Sequence, residues 1–211
     1  MFLFMIFAIP LSILFLFSLL KPGEALFFSA SPAPGLSFIR GILFFIPALI
    51  VILFLRGLLP ISYRSWRLYL FYLFEYHLLE FVLGVAGCFL LMHRHPEFIP
   101  VAFFLAGYYS SLSLYDLFKF STDLNLLSLF LLPAVRISSL LFAAVLFGYY
   151  QEGYGLRRLL FLLLLFCIPV VGALVTYFYM TFYLIYAVIL TIVCFLGAII
   201  FLFAGRKLYL L

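Results

Sequence analysis

Charge is what this chain has least of. Of 211 residues, 12 are Lys or Arg and 7 are Asp or Glu, so only 9% are charged. A soluble domain of this length is about one-quarter charged and about half apolar. Here 69% of the residues are apolar, and 24 kDa of protein cannot be covered by so few charges. A water-soluble globule is excluded, and so is disorder, which requires low hydrophobicity. Cysteine is scarce as well. Cys88, Cys167 and Cys194 each lie inside an apolar run with no C-x-x-C spacing, which argues against a disulfide framework or a zinc knuckle. Of three histidines only His77 lies within a span, so a haem held by two histidines between helices has no support. There is no P-loop, no G-x-G-x-x-G, no H-E-x-x-H and no G-x-S-x-G. The net charge of +5 comes from basic residues scattered at segment ends. That distribution marks membrane topology rather than a nucleic-acid partner.

Long apolar runs and aromatic rings are what the chain has in abundance, with 30 Phe and 15 Tyr. A helix crossing a bilayer needs about 20 mostly apolar residues. On that measure the chain reads as a single transmembrane domain, an all-α polytopic bundle of seven helices at about 2–20, 38–58, 68–92, 98–115, 124–150, 157–178 and 182–204. The first is read as a retained helix, because it has no basic leader and is too long for a signal-peptide core. The fourth is short and polar in its middle, at Gly107-Tyr108-Tyr109-Ser110-Ser111. A six-span alternative makes it re-entrant or interfacial. Ser121-Thr122-Asp123 offers an N-cap to the fifth, and Pro47, Pro133 and Pro169 are candidate kinks.

Residues 159–205 contain no charge. That is too long for one helix and predicts a hairpin that turns between Tyr177 and Tyr183. A hairpin returns to its starting side, so Arg157, Arg158, Arg206 and Lys207 share one face of the membrane. The positive-inside rule makes that face, and the C-terminus with it, cytoplasmic.

Ionisable residues at membrane depth face the bundle interior, a cavity or a partner. The candidates for binding or ion pairing are Glu75, His77, Glu80 and Arg136. Glu80 is central in the third span and Arg136 in the fifth, so the two fall at matched depth and are expected to pair. Tyr69, Tyr72, Tyr76, Glu80, Gly84 and Gly87 recur at helical spacing and predict one stripe; Ser128, Leu132, Arg136, Ser139 and Ala143 predict another. Glu75 and Glu80 lie about 140° apart around a helix, too far for an acid/base pair. His77 and Glu80, three residues apart, are expected to touch. His93-Arg94-His95 with Glu97 reads as a solvated polar turn, and no metal or cofactor is predicted.

These features point to a small non-enzymatic membrane protein, either a membrane subunit of a larger complex or a compact transporter. Its expected partners are the lipid bilayer and another membrane protein. One alternative is a membrane-embedded enzyme acting on a lipid, with His77, Glu80 and Arg136 as acid/base and anion-binding groups. Another is the membrane part of a sensor.

Overall fold

A computed structural model describes residues 7–15, 34–58, 65–92, 98–119 and 126–209. Among them every regular element is helical, which is the only way a chain open to hydrocarbon satisfies its own backbone without closing a barrel. Helix α1 (7–15) is followed by α2 (Pro34–Leu58), α3 (Ser65–Phe71), a π-helical segment (Tyr72–Leu78) and α4 (Leu79–Leu91). Then come α5 (Phe98–Lys119), α6 (Leu126–Glu152), α7 (Leu156–Met180) and α8 (Leu184–Tyr209). Five stretches are long and apolar enough to cross a membrane: Pro34–Gly57, Leu68–Leu91, Phe130–Gln151, Leu156–Met180 and Leu184–Phe203. The protein is an all-α, membrane-embedded bundle. Of the expected first span, residues 7–15 are described, and Ile9 and Ile13 are buried in the core. The Ser121-Thr122-Asp123 cap and the His93–Glu97 turn lie outside the described residues.

Helix α5 occupies the centre. Its 22 residues reach about 33 Å, and all ten from 101 to 110 are buried. Its modest hydropathy fits that position, since protein rather than lipid surrounds its polar middle. It packs on α2 through backbone. A Cβ at Gly41 would collide with the Phe104 carbonyl, and one at Gly107 with the Phe38 carbonyl. Only glycine lets two helices approach so closely, and in lipid such packing replaces the missing hydrophobic drive. Gly84 and Gly87 of α4 extend the seam, lying against Tyr108 and against Phe104 and Phe44.

Helices α2 and α5 run in the same direction. Gly41 meets residues 104–108, while further along both helices Arg56 and Lys119 lie over the same Tyr76 ring, 4.5 and 5.7 Å from its centre. In α3, Tyr69 meets Tyr177 near the end of α7, with ring centroids 6.0 Å apart. One end of the bundle therefore gathers the C-terminal ends of α2, α5 and α7 and helix α3.

Helices α7 and α8 form the expected hairpin, with its turn at residues 181–183. The turn closes by a Schellman pattern. The Tyr183 N–H reaches the Phe178 carbonyl at 2.9 Å, and the Phe182 N–H reaches Tyr179 at 3.2 Å. The left-handed position, usually glycine, is Phe182 (φ 64°). Helix α6 packs against both arms, with Tyr149 stacked on Phe161 at 5.2 Å and Phe142 beside Phe201 at 5.5 Å.

The expected single stripe on the third span is split. The π-helical segment bonds i to i+5, so it carries more residues per turn than the 3.6 of an α-helix and rotates α4 relative to α3. Before it, Tyr69 faces α7; after it, Gly84 and Gly87 face α5 and α2.

Candidate functional site

The π-helical segment ends two residues before Glu80, and the rotation delivers that carboxylate to the bundle interior between α2, α5 and α6. Arg56 Nη2 donates to Glu80 Oε1 at 2.9 Å. Arg136 Nη2 lies 3.4 Å from Glu80 Oε2, and the Glu80 backbone carbonyl accepts from the Tyr108 hydroxyl at 2.9 Å. Arg136 also donates through Nη2 to Asp116 Oδ2 at 2.5 Å and through Nη1 to Ser113 Oγ at 2.7 Å. Both acids and both guanidinium groups are buried. Among the described residues, two acids face two bases from four helices and their charges balance; an unmatched buried charge is expensive.

Glu80 and Arg136, expected at one depth, are thus in contact, but not as an isolated pair. Arg56 and Asp116 are site residues that the sequence does not single out. Arg56, two residues from the end of α2, reads from sequence as snorkelling to the headgroups. Asp116 falls just past 115, the expected end of its span. A signal for Asp116 is present nonetheless: Ser113 and Asp116 are three apart and share a face if the helix continues, as it does to Lys119.

His77 does not touch Glu80 as expected. Within the π-helical segment it points to α7, and Nε2 lies 2.8 Å from Thr176 Oγ1. The Thr176 hydroxyl also reaches the Gly172 carbonyl at 3.2 Å, an arrangement that suits a His77 tautomer with the proton on Nε2. Gly172 leaves room for the ring, because a Cβ there would sit 2.7 Å from Nδ1. Glu75 lies in the π-helical segment, and its side chain is outside the described residues. On α6, Leu132, Arg136 and Ser139 line one cavity as their stripe predicts, while the Ser128 side chain is outside the description.

That cavity, about 310 Å³, lies between the π-helical segment, α5, α6 and α7. Its polar wall is Glu80, Asp116, Arg136, His77, Thr176 and Ser139, and its remainder is largely aromatic and aliphatic. Its size is at the lower end of the range for small-molecule sites, about 300–1,000 Å³. Asp116 Oδ1, buried in the same region, has no hydrogen-bond partner among the described residues. No three metal-binding side chains come together among the described residues. Comparison with protein-family models, curated proteins and solved structures finds no match.

Proposed function

We propose that this is a non-enzymatic ligand-binding membrane protein, working as a compact transporter or as the binding subunit of a transport complex. Its cargo is a small polar molecule without net charge. The observation that carries this reading is a cavity walled by Glu80, Asp116 and Arg136, which come from three different helices. A lock that merely fixed helix register would need no empty volume beside it. The four buried charges already balance, so a zwitterion adds no net charge at depth. Its ammonium suits the acidic wall formed by Glu80 and Asp116. Its anionic end suits Arg136. A membrane-protein partner would cover part of the exposed Ile, Leu and Phe faces of α2, α7 and α8.

Uptake of labelled glycerophosphoethanolamine, a small zwitterion, into proteoliposomes tests the reading. Saturable uptake or binding that Asp116→Asn abolishes, with insertion intact, supports it. Neither uptake nor binding by the wild type would overturn it.

A second reading, an enzyme acting on a lipid, draws on His77, Glu80 and Arg136 lining one cavity. Against it, Glu80 is held by two guanidinium groups and His77 by Thr176. Release of a new product from phospholipid vesicles by the purified protein would favour it.

The basic pairs at the start of α7 and the end of α8 support a cytoplasmic C-terminus. Cysteines introduced at Gly153 and Phe182, with the native ones replaced, should then label from inside and outside respectively. The reverse pattern would refute the orientation.

A further inference from the structure

A second cavity of about 460 Å³ lies between α6, α7 and α8. Its wall is apolar, with Phe142, Leu164, Val193 and Phe201 among its residues and Gly197 opening space from α8. It opens to the outer surface, where Leu164 and Val193 are exposed, so it is a groove that an apolar chain can enter from the lipid side. The two cavities adjoin, since Val135, Ser139 and Val175 line both.

Their order along the helices is informative. On α7 the polar cavity runs from Pro169 to Met180 at the end of the helix, overlapping the apolar one between Pro169 and Val175; on α6 it touches Leu131 to Ser139, and the apolar one Val135 to Leu146. The apolar one reaches back to Leu164, about 18 Å below Thr176 at 1.5 Å per residue. Polar volume thus lies near one end of the bundle and apolar volume towards its middle. A lipid in one leaflet has its headgroup and chain in that order. A purely polar ligand would leave the second cavity empty, and a hydrocarbon would leave the charges of the first unused.

We propose that the two cavities are one site for a single-chain amphiphile with a zwitterionic head. The head lies among Asp116, Arg136 and His77, and the chain runs past Val135 and Val175 into the space between α7 and α8. This rests on the ligand-binding function proposed for the polar cavity and adds the chain to its cargo.

The test uses the full-length chain in phosphatidylcholine nanodiscs. The probe is a lysophosphatidylethanolamine with a photoreactive diazirine at the chain end. After illumination, label is expected on Phe142 and Leu146, which line this space from α6 on its inner side. An excess of chainless glycerophosphoethanolamine should remove it by competing for the head position. Gly197→Phe should reduce labelling by about tenfold, about 1.4 kcal/mol of affinity, because a ring there takes the chain's volume. A Cβ at Gly197 meets only the Phe142 ring at 3.6 Å, so the site has room for the new side chain. If Gly197→Phe fails to insert, competition in the wild type still decides the outcome. Label spread over lipid-facing residues such as Leu163 and Ile189, and indifferent to the competitor, would overturn the proposal. If glycerophosphoethanolamine still binds in that case, the polar-cavity reading survives alone. If it does not bind, both fall.

Discussion

Arg56 and Glu80 stand on either side of the α2–α3 connection, yet the guanidinium of one lies 2.9 Å from the carboxylate of the other. With Arg136 on its second oxygen, Glu80 has a cation on each side. Asp116 then completes the charge balance around Arg136. This arrangement joins α2, α4, α5 and α6 near the end of the bundle where α2 and α5 terminate.

A four-membered network responds to mutation differently from an isolated pair. Glu80→Gln and Arg136→Gln each unbalance the buried charges, and Arg136→Gln takes from Asp116 its guanidinium partner, at a cost of about 3–5 kcal/mol. For a lone pair, the exchange Glu80→Arg with Arg136→Glu would restore folding. Here it sets an arginine opposite Arg56 and a glutamate opposite Asp116, so the double variant should remain as poorly folded as the singles. The monodisperse fraction in mild detergent measures this, and recovery to the wild-type level would contradict the network. Asp116→Asn combined with Glu80→Gln should depart from additivity by about 0.5–3 kcal/mol in unfolding experiments.

The α2–α5 seam predicts a sharp contrast between glycines. Gly41→Ala and Gly107→Ala each push a methyl group into a facing backbone carbonyl, which cannot swing aside. Each should destabilise the protein by about 1–3 kcal/mol. At Gly57 a Cβ meets nothing within 4 Å, so Gly57→Ala should be neutral or mildly stabilising. Thermal unfolding in one detergent compares the three.

The hairpin turn can be improved. Phe182 holds a left-handed backbone conformation while the residue is 87% exposed. That conformation costs a residue with a Cβ about 1–2 kcal/mol, which glycine avoids. Phe182→Gly should therefore raise the unfolding midpoint. A lowered midpoint would mean that the ring anchors the turn at the interface.

Much of the fold is legible in the chain, and the exceptions have physical causes. The uncharged stretch of residues 159–205 reveals the hairpin, because a charge-free run too long for one helix has to turn. Matching depths along two helices bring Glu80 and Arg136 together correctly. Arg56 and Asp116 escape because span ends are set by where charge begins, whereas a helix buried in protein carries charge inside its span. The π-helical segment has no Pro or Gly to announce it, and one extra residue per hydrogen-bonded ring leaves no mark on composition. Regular α-helical spacing therefore aims His77 at the wrong neighbour. Gly41 and Gly107 lie 66 residues apart in the chain, and neither signals alone that another backbone lies against it.

The most direct test of the ligand site is the unfolding midpoint of the protein in nanodiscs, measured against rising glycerophosphoethanolamine. The comparison is between wild type and Ser139→Trp, which fills the cavity and leaves the four charged side chains in place. Binding to the folded state alone stabilises it by mass action, about 2.7 kcal/mol at a hundredfold excess over Kd. A saturable rise is expected in the wild type and none in Ser139→Trp. Equal shifts in both proteins, or none in either, would contradict it.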